Sequence, residues 1–275
     1  MQGRAAIAGV TLVLAAALVA RAQEPRPTNP PPNPTVKAAA DALGMVRWGD
    51  GGGNRENLDL VNRNEFVASG NEYIPQRGNA PWPAVTIRRL VFDVALRTTS
   101  SRVETVRVDA AGKEQRVIEV VHGQLAWNET EPGVGATAVA SPSEAVAERR
   151  RAITMLPQGF MRAVIQAGPK ATLSQANGKT VLTVTIDGVP VTGTLGQDKR
   201  PETISMPIQH PIVGRTVLEA RFSGYKDDEG YEVFFPSKIV HTLGGKPVLD
   251  LTVEKHMTGI YLIFPVPAVA TSASR

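Results

Sequence analysis

The chain has 275 residues, no cysteine, 30 basic and 26 acidic residues. That near-balance makes no electrostatic case for a nucleic-acid binder, which needs a concentrated basic stripe. The lack of cysteine excludes thiol chemistry and disulfide staples, so a hydrophobic core has to hold any fold.

The first 22 residues have the pattern of a cleaved export signal. Arg4 supplies the positive region, Ile7 to Ala20 is uncharged and apolar, and Ala20-Arg21-Ala22 is a small-x-small site ahead of Gln23. The apolar run is short for a membrane span. An uncleaved N-terminal anchor is the other reading. Removing residues 1–22 takes away Arg4 and Arg21 and no acid, leaving 28 basic against 26 acidic residues. The expected product is an exported protein, periplasmic or extracellular, with no stable membrane span. Residues 23–34, including Pro25 to Pro34, read as a proline-rich tether, because proline lacks a donor and fixes its backbone. A single β-rich domain is expected over 35–267, and a disordered tail over 268–275.

Within the domain, Thr35 to Leu43 reads as a short helix with Thr35 as N-cap and Gly44 as its stop. Asp50-Gly51-Gly52-Gly53-Asn54 is a glycine-rich turn without the Gly-Lys-Ser/Thr ending of a phosphate loop. Asn54 to Pro83 is polar and poorly periodic and reads as surface coil with a helix turn or short strand. From Val85 alternation sets in. Val85 and Ile87 point one way; Leu90, Phe92, Val94 and Leu96 follow in the opposite phase. A slip at Arg88-Arg89 is what a β-bulge produces, and bulges bend strands. Val103 to Val108, Gln115 to Val121 and Gln124 to Trp127 extend an antiparallel meander, with His122-Gly123 as a hairpin turn.

Ser141 to Ala167 is the long helical block. Ser141-Pro142-Ser143-Glu144 has the spacing of a capping box with proline at the first helical position. Pro157 predicts a break, because the residue before a proline avoids helical geometry. Ile153, Leu156, Phe160 and Val164 form the apolar stripe, while Arg149, Arg150 and Arg151 make the front half read as solvated. Strands resume at Leu182, Val184 and Ile186, turn at Asp187-Gly188, and continue through Ile204 to Ile208, Leu218 to Phe222, Tyr231 to Phe235, Ile239 to Leu243 and Leu249 to Val253. Strict alternation predicts one buried face and one wet face. Ile260 to Phe264 is apolar throughout.

Chemistry is sparse. His122, His210, His241 and His256 lack zinc-binding spacing, no Gly-x-Ser-x-Gly turn exists, and Tyr225 to Gly230 reads as a solvated turn rather than a calcium loop. No metal and no cofactor are expected.

A meander, a kinked helical insertion and further strands resemble the LolA-like half-barrel of periplasmic lipoprotein carriers. Val121 to Trp127, Leu156-Pro157-Gln158-Gly159-Phe160, Tyr225 to Gly230 and Pro236-Ser237-Lys238-Ile239 look more narrowly like exported domains that precede metallo-β-lactamase-fold hydrolases. That hydrolase domain and its histidine motif are missing, so no catalytic residue carries over. The resemblance implies an α+β fold: a strongly curved antiparallel sheet with the kinked helical block packed on its concave face. The function expected is non-catalytic binding of a lipid or other hydrophobic ligand. The residues expected around it are Trp82, Phe92, Trp127, Leu156, Phe160 and Phe222, with Arg149, Arg150 and Arg151 at a headgroup. The alternative is a structural or interaction module of the cell envelope with a filled core and a protein partner.

Overall fold

The structure is a computed structural model and describes residues 33–45 and 61–272. The expected leader, nearly all of the proline-rich tether and the glycine-rich turn at 50–54 lie outside the described residues.

Among the described residues, twelve antiparallel strands form one open sheet. Five belong to the first half of the chain: β1 (Arg63–Tyr73), β2 (Ala84–Ala95), β3 (Ser100–Val108), β4 (Glu114–His122) and β5 (Leu125–Glu129). Seven follow the helical block: β6 (Thr172–Ala176), β7 (Lys179–Ile186), β8 (Val189–Leu195), β9 (Pro201–His210), β10 (Gly214–Lys226), β11 (Phe235–Leu243) and β12 (Lys246–Thr258). The order is β5-β4-β3-β2-β1-β12-β11-β10-β9-β8-β7-β6, so two consecutive meanders are joined by the β1–β12 seam. Among the described residues, four α-helices accompany it: α1 (Pro34–Ala42), α2 (Pro142–Thr154), α3 (Pro157–Ala167) and α4 (Ala268–Ser272). The α+β class with an antiparallel sheet is as expected.

Curvature follows from packing. Flat, twelve strands at about 4.8 Å spacing span roughly 53 Å. Yet α2 packs on β3, β4 and β5, α3 packs on β7 and β9, and the two helices touch each other. Both wings therefore have to curl toward one helical pair. Register irregularities supply bends at Val67/Ala68, Ala68/Gly70, Ile87/Arg89, Thr194/Leu195 and His241/Thr242. The one at Ile87/Arg89 is the bulge expected from the phase slip. At Gly70 a Cβ would lie 1.9 Å from the Asp250 carbonyl oxygen, so the β1–β12 seam needs glycine there.

The helix break at Pro157 is also as expected. Leu156 is extended (φ −87°, ψ 147°), and Gly159 lets α3 start against α2: a Cβ there would sit 1.9 Å from the Ile153 carbonyl oxygen. Ile153, Leu156, Phe160 and Val164 are all buried in the inner-face core. Phe160 fills a space that Gly193 of β8 leaves open. Two capping expectations fail. Asn33, not Thr35, caps α1, its Oδ1 accepting from the Thr35 amide at 2.9 Å. Ser141 makes no side-chain cap bond, so Pro142 alone marks the start of α2.

Other corrections concern strands. Residues 63–73, in a stretch expected as surface coil with a helix turn or short strand, form the 11-residue central strand β1; its inward positions are Asn64, Phe66 and Ala68, which carry little apolar periodicity. β6 was not anticipated, because every one of its residues is exposed. Tyr231 to Phe234 precedes β11 without being strand. Ile260 to Phe264 is a strap rather than a strand, with Tyr261 81% exposed. Residues 268–272, expected to be disordered, form α4, and Ala270 is buried against Trp127, Ile118 and Val120.

The strap and α4 cover the outer face of one wing. Register places Met257, Glu65, Asp93, Arg102, Val120 and Trp127 in one row across that face. Arg102 Nε donates to Glu129 at 2.8 Å, stands 3.8 Å from Asp93 and lies under the Phe264 ring. Burial pushes the Glu129 carboxyl up, but hydrogen bonds from Arg102, Gly133 and Trp127 outweigh it and hold the group below its ordinary value. Asp93 fares differently. Burial, then the Glu65 carboxyl directly opposite, raise it to about 7.

The acidic turn is not merely solvated. Beyond Thr252, β11 no longer accompanies β12. Asp228 Oδ2 accepts from the His256 amide at 2.8 Å, and Glu229 Oε2 accepts from the Thr258 amide at 2.6 Å. These two carboxylates stand in for the missing strand.

Gly193→Ala is expected to drive a methyl into the Phe160 ring, 2.3 Å from Cε1, and to lower stability by about 1–3 kcal/mol in urea denaturation. Part of that loss should return when Phe160→Leu is added. For Asp93, the folded state holds the proton more tightly than the unfolded one. Its penalty is absent below pH ~4 and grows as pH rises toward 7. Asp93→Asn should therefore gain on the parent chain across that window, by about 2–4 kcal/mol at neutral pH, in urea midpoints taken as a function of pH.

Candidate inner cavity

The two short helices do not cover the whole inner face. Between α2, the α2–α3 break and the sheet lies a cavity of about 370 Å³. Its floor comes from Ile87, Leu90 and Phe92 of β2, Val103 of β3, Ile208 of β9, Leu218 of β10, Ile239 of β11 and Leu249 and Leu251 of β12. Met155 and Leu156 form its roof. Val103, Ile208, Leu218 and Leu249 pack against the core yet stay only partly buried, because here the helices leave them uncovered. The rim is polar: Glu72 paired with Arg107 at 2.6 Å, and Glu119, Glu148, Arg149 and Arg151 near α2.

Arg149 fixes α2 to the wing. One terminal nitrogen donates to the carbonyl oxygens of Val120 and Trp127 at 2.9 and 2.7 Å. The other donates to Glu119 Oε1 at 3.0 Å and to Asn128 Oδ1 at 2.7 Å. The guanidinium is 10% exposed. The expectation of a solvated Arg149 is thus overturned: four acceptors hold it as a clamp, with no free face for a headgroup. Arg150 reaches Asp187 at 3.4 Å on the far side of α2. Arg151 borders the cavity and is partly buried.

Of the six residues expected around an apolar ligand, Phe92 and Leu156 border the cavity. Phe160 and Phe222 are buried in the inner-face core but do not reach it. Trp82 sits in the β1–β2 connection, its Nε1 donating to the Gln76 carbonyl at 3.0 Å and its ring under Lys246. Trp127 is on the opposite face, in the outer cluster with Ala270, its Nε1 donating to Glu129 at 2.9 Å. Trp127 was expected at the ligand; strand parity puts it outside, since Ala126 faces the core.

His241 was not singled out as a site residue. It stands on β11 in the cavity wall, with Nε2 shielded from solvent and unpartnered. Its inward parity with Ile239 and Leu243 was legible in the sequence. Burial lowers it to about 4. His256, stacked on Phe235 at 4.3 Å, is lowered to about 4 by burial as well. His122 Nδ1 lies 2.8 Å from Ser100 Oγ, and His210 Nδ1 accepts from the Ile212 and Val213 amides. Among the described residues, no three His, Asp or Glu side chains gather as a metal site. No helix among them is long and apolar enough to cross a membrane.

No family model matches the chain, and no curated protein matches it. Among solved structures it is similar to a LolA superfamily protein from Nitrosomonas europaea, at 10% identity and a TM-score of 0.34, over 84% of this chain and 94% of that one.

A neutral His241 makes the fold acid-sensitive. The unfolded chain takes up a proton below pH ~6.5, whereas the folded one resists until about 4. The stability present above 6.5 is therefore lost as pH falls through that window, by about 3 kcal/mol. His241→Leu should flatten this part of the curve: little change at pH 7.5, and a higher urea midpoint than the parent at pH 4.5.

Proposed function

We propose that the protein is an exported, non-catalytic binder that holds a hydrophobic ligand, such as an acyl chain, in the cavity between α2 and the sheet. The observation that carries this reading is an apolar floor left partly uncovered. Val103, Ile208, Leu218 and Leu249 would gain burial from a ligand, at about 25 cal/mol per Å² of apolar surface. A volume of about 370 Å³ is within the range of small-molecule sites. Phe92 and Leu156 would contact the ligand directly, and the Glu72–Arg107 pair with Arg151 would meet its polar end. The N-terminal pattern supports export, with cleavage before Gln23.

A second reading is an envelope interaction module. It draws on Tyr261, Ile263 and Val266, which line the strap at 81%, 56% and 40% exposure. An exposed apolar run of this kind fits a protein partner.

One experiment separates the two. The purified chain is titrated with a fluorescent fatty-acid analogue and weighed by native mass spectrometry after lipid exposure. The binder reading expects a one-to-one complex, and at least about tenfold weaker binding in Leu218→Trp, whose indole fills the cavity. A chain that takes up no apolar probe, or a Leu218→Trp variant that binds as well as the parent, removes this reading and leaves the interaction module.

A further inference from the structure

A second cleft, about 570 Å³, lies on the other side of the helical pair, facing the β7–β8 hairpin. Arg150 and Arg151 of α2 and Arg162 of α3 all line it, and each is partly buried. Among the described residues, the only carboxylate in its lining is Asp187, at the tip of the hairpin; it lies 3.4 Å from Arg150 and is 72% exposed. Among the described residues, neither Arg151 nor Arg162 has a carboxylate at ion-pair distance. With its amide oxygen turned inward, Gln166 accepts from Arg162 Nε and one terminal nitrogen at 3.3 Å, a neutral partner for a full charge. Arg97 stands close enough to repel Arg162, and burial together with that neighbour lowers the Arg162 guanidinium from its ordinary value.

A partly buried cation beside another cation, with no acid to answer it, is an unfavourable arrangement in the empty protein. Guanidinium groups present forked donors that match phosphate and carboxylate oxygens two at a time. We infer that this cleft is a binding site for an anion of phosphate or carboxylate chemistry, held by Arg151 and Arg162 with Arg150 at the rim. The bound charge would offset the repulsion that the fold otherwise carries. Arg151 borders both this cleft and the apolar cavity, so the anion can be a free ion or the headgroup of a lipid whose chain lies elsewhere. The inference does not depend on the apolar-ligand reading.

The test uses the full chain at low ionic strength, where screening is weakest. Three probes are titrated: inorganic phosphate, a lysophosphatidylglycerol below its micelle concentration, and an uncharged monoglyceride. The variants are Arg162→Gln and Arg151→Gln/Arg162→Gln. The site predicts at least about tenfold weaker binding of an anionic probe in the double variant, with monoglyceride binding unchanged in Arg162→Gln, which leaves Arg151 of the apolar cavity in place. Binding of phosphate itself identifies a free-anion site; binding of the lysolipid alone identifies a headgroup site. Because both arginines lack an acidic partner, each empty variant should unfold at the same temperature as the parent or higher. Affinities for both anionic probes that stay within about twofold of the parent overturn the inference. So does a double variant that melts well below the parent without ligand, which would make the arginines structural. Phosphate binding without monoglyceride binding upholds this site and removes the apolar-ligand reading.

Discussion

A mismatch of areas governs this molecule. The sheet is about 53 Å wide if laid flat, while α2 and α3, at 13 and 11 residues, are about 20 and 17 Å long. Two such rods cannot cover an inner face of that size even when both wings curl over them. The fold fills part of the deficit with large side chains, Phe66, Phe92, Phe160 and Phe235 among them, and with α1 packed against α3. What is left is divided by the helical pair into an apolar cavity on one side and an arginine-lined cleft on the other. Both candidate sites are therefore remnants of one packing problem, and Arg151 at the end of α2 stands on the boundary between them.

Polar groups fix the placement of the helices over the apolar core. Arg149 ties α2 to two strands through four acceptors, where an apolar contact would have allowed sliding. Gln158 of α3 donates to the Phe234 carbonyl, and Arg200 donates to the Ala42 carbonyl while stacking on Phe234 at 3.9 Å. The segment between β10 and β11 is thus a hub that holds α1, α3 and the end of β12. Each such bond contributes about 1 kcal/mol, and more when a charge takes part. Together they set where the helices lie over the sheet, and hence the shape of both hollows.

Much of this is legible in the sequence. The phase slip at Arg88-Arg89 announced a bulge, Pro157 announced the helix break, and the stripe from Ile153 to Val164 announced the buried side. β1 was hidden because its inward positions, Asn64, Phe66 and Ala68, include a polar and a small residue, while apolar Val67 lies out of phase between them. β6 was hidden because none of it is buried; only its Asn177-Gly178 turn marked it. The candidate site was read less well. Phe92 and Leu156 follow from alternation and helical spacing. Trp127 was expected at the ligand, whereas its parity with Val120 puts it outside. Arg149 differs from Arg150 by one step, about 100° around the helix, and no linear pattern reveals which strand carbonyls await it.

The seam between the first and last strands has a consequence for how the chain acquires its shape. β1 through β5 and β6 through β12 are each meanders of neighbouring hairpins, so each can form from local contacts. Only β1–β12 joins them, and it pairs Asn64 with Thr258. The outer face of the first wing likewise waits for Phe264 and Ala270, near the chain's end. Until residue 258 has arrived, β1 is an open edge at the middle of the future sheet, and Trp127 and Arg102 lack their cover. A chain synthesised N-terminus first holds its earliest half exposed until the later strands have been made. The long delay, rather than any single contact, is where a folding helper or an off-path pairing would act.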